Sequence, residues 1–262
     1  FYLEHMGYEI TPLDVNSEGM LDLAALEATI TDRSILISAM YANNETGTIF
    51  PIREIGEIAA RHGVCFHCDA VQAVGKIPLD FSKENISLMS ISGHKLCAPK
   101  GIGALIAGKG AKFYPLLHGG SQEKNRRSGT ENVAGIVGLG KACELAAASM
   151  AEEANRLQRL RDRLEREIID RIPDVRRNGN PEKRLPNTSN LSFLNVASDT
   201  LIYNLDLAGI AASSGSACSS GALKSSHVLK AMGVATGNLV GNVRISLGRE
   251  NTDDDVDYVV EI

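Results

Sequence analysis

Ser92-Gly93-His94-Lys95 closes an apolar, strand-like run, Ile86-Ser87-Leu88-Met89-Ser90-Ile91. Upstream, a second run, Val64-Cys65-Phe66-His67, leads into Asp69-Ala70-Val71-Gln72. A lysine at one strand end and an acid at another are what pyridoxal 5'-phosphate chemistry requires. The Lys95 amine would hold the cofactor aldehyde as a Schiff base. The Asp69 carboxylate would pair with the pyridinium nitrogen and keep it protonated, so the ring can accept electrons. Ser92 and His94 flank the lysine and can donate hydrogen bonds to a phosphate. Taken singly, Lys95 is an ordinary solvated charge and Asp69 an ordinary loop cap. Their order and strand context carry the reading.

Such groups need a sheet to align them. Strand-like runs at Ser34–Tyr41, Val64–Asp69, Ile86–Ser92 and Gly101–Ala107 alternate with a helical segment, Pro51–His62. That segment places Ile52, Ile55, Ile58 and Ala59 on one face, opens with Pro at a permitted first-turn position and stops at Gly63. Strand–helix–strand at these spacings predicts an α/β layer with parallel strands. Ligands in such sheets bind beyond the carboxyl ends of strands, and Asn44, Asp69 and Lys95 all follow strand-like runs.

From Glu131 the texture changes. Glu131–Met150 is rich in Ala and Gly, and Ala151–Ile172 is charged, with Leu157, Leu160, Leu164 and Ile168 at helical spacing. A domain boundary is expected near Met150, inside this helical region. Residues 1–150 would then belong to a large cofactor-binding domain and 151–262 to a smaller α+β domain. The latter reads as strands at Ser189–Leu194, Ile210–Ser213 and Val243–Leu247, with helices at Asp199–Leu207, Ser225–Met232 and from Asp253. The charged clusters Glu123–Arg127 and Arg176–Arg184 are expected to be solvated faces or loops. No internal repeat is visible.

Composition narrows the function classes. With 262 residues, 44% hydrophobic and 23% charged, the chain can bury a sizeable core. A net charge of -5 argues against nucleic acid or an anionic membrane as partner. No Trp and 5% aromatics leave no stacking platform for bases. No uninterrupted apolar run is expected to be long enough to span a bilayer. The start, Phe1-Tyr2-Leu3-Glu4-His5, has neither an initiator Met nor a signal pattern, which reads as an internal piece of a longer chain. Five cysteines without disulfide-like spacing imply a reducing, cytoplasmic setting. Cys65 and Cys68 form a C-x-x-C, but positions three apart on a strand face opposite sides, so both are expected in or near the core and no metal is expected. Cys97 and Cys143 have no supporting constellation.

Several segments in order resemble the cysteine desulfurases, in the class V aminotransferase superfamily of fold-type I PLP enzymes. They are Ala42-Asn43-Asn44-Glu45-Thr46-Gly47, His67-Cys68-Asp69-Ala70-Val71-Gln72, Ser90-Ile91-Ser92-Gly93-His94-Lys95, Arg127-Ser128-Gly129-Thr130-Glu131-Asn132, Ser213-Ser214-Gly215-Ser216-Ala217-Cys218 and Val243-Arg244-Ile245-Ser246-Leu247-Gly248. The stretch Asn44–Pro51, the turn Ala98-Pro99-Lys100-Gly101 and the Cys218 loop look most like the NifS/IscS-like group.

The resemblance implies a three-layer PLP-transferase fold, with a mostly parallel sheet between helices, and a homodimer. It implies that Lys95 is the Schiff-base lysine and proton shuttle, that Asp69 meets the pyridine nitrogen, and that Gln72 bonds the phenolic oxygen. Ser92 and His94 would hold the phosphate, and Thr130 would reach the phosphate of the neighbouring subunit's cofactor. Asn44 and Arg244 would clamp the substrate carboxylate. Cys218 would take sulfur from L-cysteine as a persulfide, leaving L-alanine, and pass it to an acceptor protein for iron–sulfur clusters or other thio-cofactors. An unperturbed thiol has a pKa of about 8.5, so electropositive surroundings or a base should assist Cys218. Its Ser- and Gly-rich loop suits a cysteine that visits both cofactor and acceptor. His118 and His227 are expected to be structural or surface residues.

A selenocysteine lyase or another class V PLP enzyme is the alternative, although an aminotransferase would not need the Cys218 loop. The family's N-terminal phosphate turn and its ring-stacking residue are not found before Asn44, and its last residues are not found at the end of the chain. This polypeptide by itself is therefore expected to be a poor enzyme or an inactive fragment.

Overall fold

The computed structural model describes residues 2–214, 226–234 and 240–262. Helices α1 (Tyr2–His5) and α2 (Leu23–Thr29) precede β1 (Leu36–Met40). Then follow α3 (Ile52–His62), β2 (Cys65–Asp69), β3 (Leu88–Ser92), a 3-10 turn (Gly93–Leu96), β4 (Gly103–Ala107) and α4 (Gln122–Asn125). The long α5 (Val133–Arg171) leads to β5 (Val175–Arg177), β6 (Thr188–Leu194), α6 (Ser198–Leu207), α7 (His227–Ala231), β7 (Val240–Ser246) and α8 (Asp253–Glu261). These form two compact units. One comprises Ile35–Tyr41 and Ile52–Ala151, the other Phe1–Ser34, Ala42–Pro51 and Glu152–Ile262.

The first of these holds a sheet in the order β1-β2-β3-β4. The first three strands are parallel, while β4 runs antiparallel to β3. The sheet is thus mostly parallel, as expected, with β4 as its antiparallel strand. Its link to β3 contains a 3-10 turn and no crossover helix, and only an antiparallel neighbour can be reached by so short a connection. The apolar face of α3 is buried through Ile52, Ile55, Ile58 and Ala59. Along β2, Phe66 and Cys68 are fully buried, whereas Cys65 and His67, on the opposite face, are half-buried. A second cluster joins Leu96 to Leu139, Ala142 and Ala146 of α5, with Val74, Ala98, Ile102 and Cys143 packed against it. By length and composition α5 is long enough and apolar enough to cross a membrane. Lys141 and Glu144 interrupt its apolar stretch, so it is not the uninterrupted apolar run that the sequence is expected to lack. The likeness is one of length and composition, because Leu139, Ala142 and Ala146 are core residues of this unit.

The other unit is built on an antiparallel sheet, β5-β6-β7. Its core sets Leu160, Leu164 and Ile168 of α5 against Leu191 of β6 and Val256 of α8. Thr252 caps α8, and Asp255 completes the capping box. The expected strand Ile210–Ser213 reduces to an isolated bridge between Ser213 and Arg244. The Arg176–Arg184 cluster differs most from expectation. Val175–Arg177 pairs with β6, and Arg184 is 6% exposed. Its guanidinium meets Glu165 of α5, with Nη1 3.0 Å from Oε2, and donates from Nη2 to the Thr188 carbonyl at 2.9 Å. Buried arginine is tolerable there because a carboxylate and a carbonyl face it.

Candidate active site

Asp69 lies opposite Ser90 where β2 and β3 run parallel, so the carboxyl ends of both strands share one edge. Asp69 ends β2. Its carbonyl accepts from the Tyr41 N–H at 2.8 Å, and the next N–H, of Ala70, donates to the Ser90 carbonyl at 3.0 Å. With the main chain fixed on both sides, Oδ1 accepts from the Val71 N–H at 3.0 Å.

Ser92 ends β3, and the chain then tightens into the 3-10 turn that carries Lys95. Gly93 is what allows the turn to close here. A Cβ at this position would stand 2.7 Å from Ile102 Cγ2 and 3.0 Å from the Ile102 carbonyl oxygen. The Gly93 N–H donates to that same oxygen at 2.9 Å, and the Gly93 carbonyl accepts from Ala98 at 3.0 Å. Cys97 closes the turn in the left-handed region, with φ 61. Leu96 is buried while Lys95 is exposed, so the turn is anchored by its apolar residue and presents its amine outward. Beside it, Ser92 Oγ and His94 Nδ1 are 2.8 Å apart.

Beneath this edge a polar row crosses three strands. His67 Nδ1 is 2.9 Å from Ser38 Oγ, and Nε2 is 2.8 Å from Ser90 Oγ. Burial lowers the His67 pKa, against an opposing pull from Asp69. A neutral imidazole fits between two hydroxyls because each can donate or accept. In the same strand, burial first and then Glu84 and Asp69 push the Cys68 thiol up to about 12. Cys68 is therefore a core residue and not a nucleophile at neutral pH.

Gln72, in the turn after β2, has a partner that motif reading did not identify. Lys76 Nζ donates to the Gln72 carbonyl at 2.9 Å and to Gln72 Oε1 at 3.0 Å. Burial, and then the nearby Lys95 ammonium, lower the Lys76 pKa to about 8. The spacing of four between Gln72 and Lys76 was the available signal, but nothing in it distinguished this lysine from a surface one.

In the other unit, Asn44 and Arg244 are brought together. Arg244 Nη1 donates to the Asn44 carbonyl at 3.0 Å. The Asn44 turn is held by Asn43 Oδ1, which accepts from the N–H groups of Glu45 at 2.8 Å and Thr46 at 2.9 Å. Gly47 completes the turn with φ +77, and a Cβ there would stand 3.1 Å from Thr188 Cβ. Thr130, His118 and His227 are exposed. Cys218 lies outside the described residues.

Among the described residues no group of three or more His, Cys, Asp or Glu side chains could hold a metal ion. The edge formed by Asp69, Gln72, Ser92, His94 and Lys95 instead supplies an amine, a carboxylate, an amide and two groups able to donate to a phosphate. That donor set fits pyridoxal phosphate.

The chain matches the family described as Aminotransferase class-V over residues 2–259. It belongs to the class V aminotransferases. Within that family it is 52% identical over 260 residues to a cysteine desulfurase of Nostoc sp., covering 99% of this chain and 65% of the relative. It is also 52% identical over 261 residues to the cysteine desulfurase IscS of Methanosarcina thermophila, covering 100% of this chain and 64% of the relative. This class V aminotransferase chain thus spans about two thirds of the length of the curated relatives it matches. A solved NifS-like protein superposes with TM-score 0.91 at 37% identity, covering 99% of this chain and 68% of that one. The NifS-like protein of Rickettsia africae gives 0.89 at 35% identity, with coverage of 99% and 70%. SspA, solved in complex with cysteine, gives 0.77 at 33% identity, with coverage of 94% and 68%. The mostly parallel sheet with its smaller antiparallel companion is therefore the α/β fold of the NifS-like class V aminotransferases.

Proposed function

We propose that this chain serves in a pyridoxal-phosphate-dependent cysteine desulfurase, which converts L-cysteine to L-alanine and retains the sulfur as a persulfide on Cys218. The observation that carries the reading is the strand-end edge with Asp69, the Ser92–His94 pair and Lys95, in a chain 52% identical to cysteine desulfurases.

Pyridoxal phosphate would supply the aldehyde and the electron-accepting ring. The residues of this chain do the rest. Lys95 would hold the cofactor, and its free amine would take the substrate α-proton. Asp69 would keep the ring nitrogen protonated, Gln72 would bond the phenolic oxygen, and Ser92 and His94 would hold the phosphate. Arg244 and Asn44 receive the substrate carboxylate. The Cys218 thiolate attacks the substrate sulfur. The carbon–sulfur bond would break with its electron pair staying on carbon, a proton would be added there, and Lys95 would return the α-proton to give alanine while Cys218 keeps the second sulfur. Thr130 would reach the cofactor phosphate of a second copy, so the working form would be a homodimer. The persulfide then passes to an acceptor protein for iron–sulfur clusters or another thio-cofactor. The free thiols of Cys65, Cys68, Cys97 and Cys143 suit a reducing cytoplasm.

The test uses the intact protein loaded with pyridoxal phosphate. L-cysteine with a thiol reductant should give alanine and sulfide in equal amounts, and Lys95→Ala should give neither. Borohydride reduction and peptide mapping should place the cofactor on Lys95. A label on Lys76 or Lys100 would overturn the assignment. Turnover of selenocysteine without turnover of cysteine would replace the reading with a selenocysteine lyase.

A further inference from the structure

We propose that Lys76 is a positioning residue that grips the Gln72 carboxamide by its oxygen and so leaves the amide NH2 as the donor to the cofactor's phenolic oxygen. The proposal rests on the reading of Gln72 given above.

An ammonium has three donors and no acceptor. Its contact with the Gln72 side chain can therefore only be with Oε1, 3.0 Å away. The same ammonium donates to Gln72's own carbonyl at 2.9 Å, so main chain and side chain are held together. A carboxamide is nearly symmetric in shape but opposite in polarity at its two ends. Unrestrained, it could turn its oxygen toward an anionic phenolic oxygen and repel it. Gripped by a cation, its nitrogen end alone remains to meet that oxygen.

Packing ties this grip to the lysine turn. Gly75, with φ +76, lies so close to Leu96 that a Cβ would stand 2.4 Å from Leu96 Cδ2. Lys76 follows Gly75 directly, and Leu96 follows Lys95. The two ammonium groups therefore feel one another, and together with burial this lowers Lys76 to a pKa of about 8. Keeping a charge there is unfavourable, and an apolar side chain of similar volume would relieve the cost. A lysine whose only work was packing would gain nothing from that charge. At neutral pH it is still protonated and able to hold Oε1.

The experiment is a double-mutant cycle on the intact protein, with Gln72→Ala, Lys76→Met and the pair. Lys76→Leu is a second variant lacking the donors, and circular dichroism shows which variants are folded. Two quantities are read without turnover: pyridoxal phosphate affinity, and the pH midpoint of the bound cofactor's visible absorbance. A donor on the phenolic oxygen draws electron density from the Schiff-base nitrogen, so its loss should move the midpoint to higher pH. Lys76→Met should weaken cofactor affinity about five- to tenfold, the scale of one lost hydrogen bond, and raise the midpoint. In the Gln72→Ala background, the same substitution should change neither. If Gln72→Ala moves both quantities but Lys76→Met and Lys76→Leu move neither, the positioning role is wrong and the Gln72 reading stands. If Gln72→Ala moves nothing, the Gln72 reading fails and takes this proposal with it. A full effect of Lys76→Met in the Gln72→Ala background would mean that the lysine acts by its charge alone, which also overturns the proposal.

Discussion

Arg244 of β7 donates through Nη1 to the main-chain carbonyl of Asn44 at 3.0 Å, joining two residues that stand 200 positions apart in the chain. One arm of the guanidinium is thereby held. Replacement by Lys would keep the charge and lose the planar group. Arg244→Lys should raise the KM for cysteine, with a loss of about 2–3 kcal/mol if one charge-assisted hydrogen bond to the carboxylate goes. Steady-state kinetics decide this, and an unchanged KM would place the substrate carboxylate elsewhere.

Cys218→Ser should keep the cofactor and still bind cysteine, because Cys218 is assigned to sulfur and not to the cofactor. It should form no persulfide, and alanine production should fall to background. Mass spectrometry of the protein after one turnover checks this directly. Normal sulfide release by the variant would assign the nucleophile to another thiol.

Glu165 faces Arg184 in a buried ion pair, with the two residues 2% and 6% exposed. Removing one partner leaves the other charged and unsolvated. Glu165→Ala should therefore destabilise the protein by about 3–5 kcal/mol, whereas Glu165→Met with Arg184→Met should cost much less. Urea unfolding measures both. Equal losses in the single and double variants would show that the charge pair is not what matters at this site.

Lys76 should leave a signature in the pH dependence of stability of the cofactor-free protein. Its folded pKa, about 8, lies below the 10.5 of an unperturbed lysine. As pH falls from 10.5 toward 8, the unfolded chain takes up the proton first, and stability falls. Below about 8 both states are protonated and the contribution is constant. Stability should therefore rise between about pH 8 and 10.5, by up to about 3 kcal/mol from this group. Lys76→Met should remove that rise. Burial raises the Tyr41 pKa, which also affects the alkaline limb, so the diagnostic quantity is the difference between wild type and variant. Parallel stability curves for the two proteins would count against the lowered pKa.

Much of the candidate site was legible because its determinants are local. Asp69, Gln72, Ser92, His94 and Lys95 each lie within a few residues of a strand end, and the strand runs carry their own apolar pattern. Two parallel strands then bring their ends to one edge with little further specification. Ser213, by contrast, lies in a segment, Ile210–Ser213, whose local pattern predicts a strand. In the fold it makes a single bridge to Arg244, because pairing needs a partner over a length that pattern alone does not reveal.

From the sequence by itself came the family, the strand-end acid and lysine, the core face of α3, and the opposed faces of Cys65 and Cys68. Only the tertiary structure decided the direction of β4, the grip of Lys76 on Gln72, the His67 row between Ser38 and Ser90, and the burial of Arg184 against Glu165. For β4 the reason is the short connection from β3, and for the three side-chain arrangements it is a common one. A charged or polar side chain in a sequence looks solvated until the group that desolvates or pairs with it is known, and that group is set by packing between segments and not by its neighbours along the chain.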